Sequence, residues 1–263
     1  MHNKKNSILA ALRDGRDAYG LFVQFPMPQL VEAIGYQGYD FIALDMEHGH
    51  FSFDQLSSLI IAADAADVTP LVRVPDHEDS TILKTMDMGP MGIIVPNINT
   101  AEDAQNAVRA GKYSPLGTRG ACPWVRAAEY NSKDWQEHLD WTSRETMVIL
   151  TIESKDGVDH IDEILQVPGI DGIMIGAFDM AQSLGIPGQI AHEEVTSRIE
   201  FVSRKVTDKG LPLVGAVFAD LPHLSEAVQT WKRRGSHAMI LGCDKGLLCD
   251  CAHAYYTQAV QTK

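Results

Sequence analysis

Eight short apolar runs alternate with segments of helical periodicity along most of this 263-residue chain. Strands that alternate with helical connections lie parallel in one sheet, because each connection returns the chain to the edge where the previous strand began. A closed (β/α)8 barrel takes about 250 residues, so eight such units favour a closed barrel over an open sheet. We therefore expect an α/β protein with a single TIM-barrel domain over residues 1–263. The predicted strands are 19–24, 41–45, 70–74, 92–96, 147–153, 172–176, 213–218 and 237–242.

Helices are predicted between these strands wherever apolar residues recur every three or four positions. Residues 111–145 break the rhythm with many Gly, Pro, Arg and Trp residues, and are predicted to be a long loop with an irregular helix. Loops of this length in compact domains are usually functional or disordered. The predicted helices are 28–35, 53–66, 80–88, 100–110, 158–165, 178–184, 192–209, 221–234 and 244–259.

The charge balance limits the partners of this chain. A net charge of −13 argues against binding to nucleic acid or to an anionic membrane surface. We expect no membrane span, because no run of about 18 apolar residues occurs, and no signal peptide, because the first residues lack an apolar stretch. The cysteines lack zinc-binding spacing and are expected to be free thiols in a reducing cytoplasm. They are Cys122, Cys243, Cys249 and Cys251.

Titratable side chains gather at the carboxyl ends of the predicted strands. In a barrel these ends face one mouth, where TIM-barrel active sites lie. Burying several charged groups is costly unless each finds a partner, so the cluster predicts either solvent exposure or a working site. The residues are Asp45, Glu47 and His48 at the second strand, Arg73 in the third, Glu153 at the end of the fifth and Asp179 after the sixth.

Glu153 and Asp179 follow neighbouring strands and carry like charges. Two carboxylates in one confined mouth repel each other unless a cation or a proton lies between them. An oxygen-only pair is typical of a hard divalent ion such as Mg2+ or Mn2+, whose remaining positions hold water or substrate oxygens. Spacing alone leaves a structural alternative, in which Asp179 caps a helix and Glu153 forms a salt bridge.

Asp45 and His48 are three residues apart, which predicts a general base with its supporting acid. A carboxylate that accepts a hydrogen bond from one imidazole nitrogen raises the basicity of the other. Alternatively, His48 only holds the turn, and His50 is expected to be a loop residue. Arg73 lies within a buried strand, where arginine requires a partner, so it faces either an acid or a ligand anion.

Five ordered motifs resemble those of the HpcH/HpaI aldolases, which are metal-dependent class II pyruvate aldolases of (β/α)8 fold. The resemblance runs from about residue 18 to residue 245, nearly the whole chain. The motifs are Leu44-Asp-Met-Glu-His-Gly49, Val95-Pro-Asn-Ile-Asn-Thr-Ala101, Tyr113-Ser-Pro-Leu-Gly-Thr-Arg-Gly120, Ile152-Glu-Ser154 and Asp171-Gly-Ile-Met-Ile-Gly-Ala-Phe-Asp179.

The resemblance implies a role for each residue at the predicted mouth. Glu153 and Asp179 match the family's ligands for a divalent metal, which would be Mg2+, Mn2+ or Co2+. His48 matches the general base, and Asp45 matches the acid that orients it. Arg73 matches the arginine that contacts the keto oxygen of pyruvate.

The resemblance also implies where pyruvate binds and where this chain departs from its relatives. Backbone amides around Phe178 and Asp179 match the helix start that receives the pyruvate carboxylate, and a helix start suits an anion. Thr151 stands where glutamine is common, and Phe178 adds bulk beside the metal. Both departures concern the acceptor substrate more than the metal. Glu47 either holds metal-bound water from outside the ligand set or fixes the turn that carries His48.

These roles predict an aldolase that makes or cleaves 4-hydroxy-2-oxo acids by joining the enolate of pyruvate to a small aldehyde. The nearest alternative is an oxaloacetate decarboxylase or a decarboxylative enolate-transfer enzyme on the same metal site. A CoA-ester lyase would need a basic patch, which we do not see. Lys155 is disfavoured as a Schiff base because its neighbours match metal ligands. Residues 235–242 resemble the last strand of phosphate-binding barrels, so a non-catalytic phosphate-binding barrel is a second alternative.

The family often forms hexamers, as trimers of dimers, with the last helix exchanged between subunits. A homo-oligomer, hexameric or trimeric, is therefore expected, and the helix over 244–259 either exchanges or packs on its own barrel. The acceptor pocket is expected in the loop 114–131 and near Phe25. Trp124 and Arg126 in that loop either shape the pocket or lie at the surface.

Overall fold

The computed structural model describes residues 4–130 and 133–261, which contain a closed barrel of eight parallel strands. Each strand pairs with the next in sequence, and the last strand pairs with the first. The expected α/β class and TIM-barrel architecture are confirmed. The strands are β1 Ala18–Val23, β2 Phe41–Asp45, β3 Thr69–Arg73, β4 Gly92–Val95, β5 Met147–Ile152, β6 Gly172–Ile175, β7 Leu213–Val217 and β8 Ala238–Cys243.

Helices connect these strands around the outside of the barrel. Ser52 and Thr100 are the N-caps of two of these helices and form capping boxes. The side chain of each N-cap accepts the backbone amide three residues later, and the side chain of that later residue accepts the backbone amide of the N-cap. The helices are α1 Ser7–Arg13, α2 Pro28–Gly35, α3 Phe53–Ala65, α4 Asp79–Asp87, α5 Ala101–Gly111, α6 Trp135–Glu145, α7 Lys155–Asp159, α8 Ile161–Ile164, α9 Ala177–Ser183, α10 Glu193–Asp208, α11 Leu224–Arg233 and α12 Asp244–Gln261, with 3-10 turns at Arg126–Ala128 and Leu221–His223.

Two apolar cores stabilise the barrel, one between the sheet and the helices and one inside the lumen. Ile8 and Ala11 of α1 belong to the lumen core, so α1 closes the end where the strands begin, which we call the floor. The ring of Phe41 lies so close to β1 that a Cβ on Gly20 would be 2.3 Å from it. Because the lumen is filled, polar side chains collect at the other end, the mouth.

The structure departs from the predicted elements in three places. Helix α1 is not predicted, because seven residues are too few to show a clear period. The predicted helix 158–165 is instead the end of α7 followed by α8, which meet at His160. Within 111–145, α6 is a regular helix with Asp134 as its N-cap, rather than an irregular one.

The loop after α5 lies at the floor, not at the mouth. Arg126 donates to the backbone oxygen of Met88 at 3.1 Å and pairs with Asp64 at 2.5 Å. Both partners lie at the ends of helices that run back from the mouth, α4 and α3. Within one chain, residues 114–130 therefore do not border the mouth, and their expected part in the acceptor pocket is wrong for a single protomer. The last residue of that predicted loop, 131, lies outside the described residues.

Helix α12 follows β8 directly and packs little against its own barrel, since most of its described residues are exposed. Asp244 is its buried residue among those described, so the alternative in which α12 packs on its own barrel is wrong. Its exposed large apolar side chains are Leu247, Leu248, Tyr255, Tyr256 and Val260. Within residues 4–130 and 133–261, neither α12 nor any other helix has the length and apolar character to cross a membrane.

Candidate active site

Asp45 and Arg73 form a buried ion pair at the mouth. They end β2 and β3 and are register partners, so the strand pairing itself brings their side chains together. Arg73 donates from Nε to Oδ1 of Asp45 at 2.9 Å and from Nη2 to Oδ2 at 2.6 Å. Asp45 is 0% exposed and Arg73 is 9% exposed. This two-pronged geometry fixes the guanidinium plane.

The carboxylate of Asp45 also accepts hydrogen bonds from Gln24 and from the following turn. Gln24 Nε2 donates at 2.7 Å, and the backbone amides of Glu47 and His48 donate at 3.1 and 3.2 Å. Burial alone would raise the pKa of Asp45, but Arg73 and these donors outweigh burial, and the pKa is lowered. The predicted contact with the imidazole of His48 is thus replaced by one with its backbone amide, because the turn aims that amide at Oδ1.

Glu47 lies on the other side of the same guanidinium. Its Oε2 is 3.1 Å from Nη1 of Arg73. Burial raises the pKa of Glu47, Arg73 and His48 oppose the rise, and Asp45 and Asp179 add to it. His48 itself is exposed at the mouth, and His50 is an exposed loop residue as expected.

Glu153 lies directly after β5 and is 4% exposed. Its Oε1 accepts the backbone N–H of Asn97 at 2.7 Å, and a Cβ on residue 176 would lie 2.6 Å from its Oε2. The absence of a side chain on Gly176 therefore leaves room for the Glu153 carboxylate. Burial raises the pKa of Glu153 to about 7; the Asn97 N–H opposes the rise, and Glu47 and Asp179 increase it. Ionising Glu153 is costly unless a cation is near.

Asp179 supplies the second carboxylate from the first turn of α9, where it is exposed. Within the described part of the chain, no group of three His, Cys, Asp or Glu side chains converges as a metal-ligand set. Two carboxylates with open positions suit Mg2+ or Mn2+, which commonly take one or two carboxylates and fill the rest with water or substrate. Glu153 and Asp179 therefore fit a hard divalent ion in their chemistry.

One wall of the mouth is aromatic. Phe22 stacks on Phe218 at 6.4 Å between ring centroids, and Phe218 meets Phe178 edge-on at 6.1 Å. Arg73 lies 4.5 Å above the centroid of Phe22, so the wall begins at the guanidinium. Phe178 is 51% exposed and Phe218 is 48% exposed. A cavity of about 370 Å3, lined in part by Trp231, lies beside both.

Thr151 lies on β5 two positions before Glu153, on the same face of the strand. Its side chain is fully buried, and its hydroxyl has no hydrogen-bond partner within residues 4–130 and 133–261. Lys155 is exposed at the start of α7. The structure thus brings together Asp45, Glu47 and Arg73 in one contact network and leaves Lys155 outside it.

Several residues of the mouth escaped the sequence reasoning. Gln24 and Asp244 follow the first and last strands, so the strand-end rule that identified Asp45 would have found them. Phe218 ends the predicted seventh strand but carries no charge to draw attention. Asn97 follows the fourth strand within the motif 95–101 already singled out, but the hydrogen bond from its backbone amide, at a positive φ of 58°, is not revealed by its side chain.

Comparisons with known proteins identify the family of this chain. The family model described as HpcH/HpaI aldolase/citrate lyase matches residues 18–251. A hydroxypyruvate/pyruvate aldolase of Roseobacter denitrificans is 32% identical over 206 residues, which cover 78% of this chain and 80% of that protein. A 2-keto-3-deoxy-L-rhamnonate aldolase of Escherichia coli is 29% identical, covering 93% of this chain and 90% of that protein.

Solved structures show the same likeness. The citrate synthase SbnG superposes with a TM-score of 0.89 at 34% identity, covering 98% of this chain and 99% of that chain. The expected family and enzyme class are confirmed: this chain belongs to the HpcH/HpaI aldolase/citrate lyase family and is a carbon–carbon lyase.

Proposed function

We propose that this protein is a divalent-metal-dependent aldolase that makes or cleaves 4-hydroxy-2-oxo acids through the enolate of pyruvate. One observation carries the proposal: Glu153 is a carboxylate that is only 4% exposed directly after β5, and Asp179 supplies a second carboxylate from the first turn of α9, after the neighbouring strand. Two carboxylates that share one mouth repel each other unless a cation lies between them. The aldolase names of the relatives from Roseobacter denitrificans and Escherichia coli support the reaction class.

Glu153 and Asp179 would hold the ion, which could be Mg2+, Mn2+ or Co2+. When bound, a divalent ion supplies Lewis-acid stabilisation of an enolate. The guanidinium of Arg73 has five N–H donors; Asp45 takes two of them and Glu47 lies 3.1 Å from Nη1, so the remaining donors would stabilise a developing oxyanion. The backbone amides of Phe178 and Asp179 would receive the pyruvate carboxylate.

His48 would take the C3 proton of pyruvate, directly or through a water. Its exposed imidazole follows a turn whose backbone Asp45 holds by two amide hydrogen bonds. In this proposal Asp45 orients the base through that turn, while Glu47 holds the guanidinium from its second side. Lys155, exposed at the start of α7, takes no part, because the metal replaces a Schiff base.

The acceptor would lie against the aromatic wall of Phe22, Phe178 and Phe218. This wall favours an aldehyde with an apolar substituent, since a hydroxylated one would leave its hydroxyl groups without partners there. The buried hydroxyl of Thr151, two positions before Glu153, would donate a hydrogen bond to the pyruvate half. Replacing Phe178 with alanine should therefore raise the relative kcat/KM for a hydroxylated over an aliphatic aldehyde by about tenfold. An unchanged ratio would remove the wall from acceptor selection.

The reaction is tested by incubating the protein with pyruvate, a panel of aldehydes and Mn2+, with products identified by mass. EDTA should abolish turnover, and Mn2+, Mg2+ or Co2+ should restore it. Turnover that survives chelation and is trapped by borohydride with pyruvate would refute the metal mechanism. An exposed-lysine variant, Lys155→Ala, is the matched control and should retain activity.

A second candidate is decarboxylative enolate transfer or simple decarboxylation of oxaloacetate on the same site. Oxaloacetate would meet the same carboxylates and Arg73 as pyruvate, and carbon dioxide would leave in place of an aldehyde. Pyruvate release from oxaloacetate that exceeds hydroxy-oxo acid cleavage would select it. A phosphate-binding barrel is disfavoured, because the carboxylate of Asp244 already accepts the backbone amides of Gln24, Phe25 and Lys245 at the end of β8.

We further propose that the protein is a homo-oligomer, hexameric or trimeric, in which a second copy covers α12. The apolar side chains exposed along that helix support this. Tyr255 is 77% exposed, so Tyr255→Asp should lower the mass measured by analytical ultracentrifugation. An unchanged mass would contradict the assignment.

The proposed location is the reducing cytoplasm, which the four free cysteines support.

A further inference from the structure

A continuous chain of hydrogen bonds links the start of α12 to Arg73. Asp244, the first residue of α12, is only 4% exposed, whereas most of the described residues that follow it in the helix are exposed. Its carboxylate accepts the backbone amide of Gln24 at 3.0 Å and that of Phe25 at 2.9 Å. These two residues follow β1, so Asp244 fastens the end of the first strand to the end of the last.

The side chain of Gln24 carries the link inward. Its Nε2 donates to Oδ2 of Asp45 at 2.7 Å, and the same oxygen accepts Nη2 of Arg73 at 2.6 Å. An aspartate carboxylate has about four lone-pair directions. Five donors from four residues already surround this one, so it has little freedom to turn unless one of them is removed.

β1 also supports the face of the guanidinium. Phe22, two residues before Gln24, lies 4.5 Å from the Cζ of Arg73. A shift at the end of β1 would therefore move both the edge partner and the face partner of Arg73. Glu47, at 3.1 Å from Nη1, would then remain as the contact that draws the guanidinium away from Asp45.

We infer that Gln24 and Asp244 are positioning residues, which set the place of the Arg73 guanidinium through Asp45. The consequence for turnover rests on the proposed function, in which Arg73 meets the developing oxyanion. A misplacement of about 1 Å at a reacting group can cost about a hundredfold in rate. The position of Arg73 itself does not depend on which substrate the enzyme takes.

The first test is structural and uses the full-length protein. Gln24→Met keeps the length of the side chain and removes its donor. Gln37→Met is the matched control, since Gln37 follows α2 on the surface and donates to the backbone oxygen of Ala33 in that helix. Crystal structures should show the guanidinium displaced by about 0.5 Å or more in the first variant and unmoved in the second. Asp244→Asn should act in the same direction, whereas Asp40→Asn, which alters a carboxylate on the amide of Tyr19 at the start of β1, should not.

The second test is kinetic. Gln24→Met should lower kcat about tenfold or more with a smaller change in KM, and the loss should vanish in an Arg73→Lys background. An unmoved guanidinium, or an undiminished loss in that background, would overturn the inference, because Gln24 would then act elsewhere. If the wild-type protein lacks lyase activity, the proposed function fails, and the crystal structures still decide the positioning role.

Discussion

Replacing Glu153 with glutamine should stabilise the metal-free protein and remove one of the two carboxylates that we propose to hold the metal. The carboxyl of Glu153 is 4% exposed, and burial raises its pKa from 4.5 to about 7. Because the folded state then binds a proton more tightly than the unfolded state, the free energy of unfolding falls as pH rises from 4.5 to about 7. Two and a half pKa units correspond to about 3 kcal/mol.

Glutamine carries no charge at any pH and keeps an oxygen for the backbone amide of Asn97. At pH 8, Glu153→Gln should therefore unfold at a temperature higher than wild type by several degrees, since about 1 kcal/mol shifts the melting temperature of a protein of this size by about 2–4 °C. At pH 4.5 the difference should disappear. Glu163→Gln, at an exposed position of α8, is the matched control.

The assay is thermal unfolding of both variants after EDTA treatment, at one protein concentration, from pH 4.5 to pH 8. Added Mn2+ should raise the melting temperature of wild type and not of Glu153→Gln. Equal stability of the two proteins at pH 8 would refute the reasoning, because it would mean that ionising Glu153 has no cost in the folded state.

Two other variants test the same mouth. Gly176→Ala would place a Cβ 2.6 Å from Oε2 of Glu153, so affinity for Mn2+ measured by calorimetry should fall at least about tenfold, whereas Gly246→Ala, with its nearest neighbour at 3.5 Å, should bind normally. Equal affinities would show that the carboxylate can move aside. His48→Gln should slow deuterium exchange at C3 of pyruvate by about a hundredfold, followed by NMR, and His50→Gln should not. Unchanged exchange in His48→Gln would mean that a group other than His48 removes the C3 proton of pyruvate.

The strand-end rule predicted which side chains share one end of the barrel, because a closed parallel barrel gathers every carboxyl end at one mouth. Asp45, Arg73 and Glu153 could be located from the alternation of apolar runs alone. Their mutual contacts could not, since these depend on register. The pairing of Asp45 with Arg73 follows from the alignment of β2 with β3, and a shift by one residue would send one side chain to the opposite face.

The remaining misses have a common physical origin. Gln24 and Asp244 are 220 residues apart and become neighbours only because the barrel closes. The loop after α5 looked functional by length and composition, yet helix direction places it at the floor. Neither the closure of the barrel nor the direction of a long connection produces a residue pattern that can be recognised in a short stretch of sequence.

The filled lumen of the barrel would determine the order in which substrates bind and products leave in the proposed reaction. Because residues of α1 and Phe41 fill the floor end of the lumen, substrates would reach Arg73 and Glu153 from the mouth. In the proposed reaction, pyruvate held beside Arg73 and Glu153 would enter before the acceptor aldehyde that covers it. In cleavage the aldehyde would then leave first and pyruvate last. Pyruvate should therefore behave as a competitive product inhibitor against the hydroxy-oxo acid, and the aldehyde as a noncompetitive one.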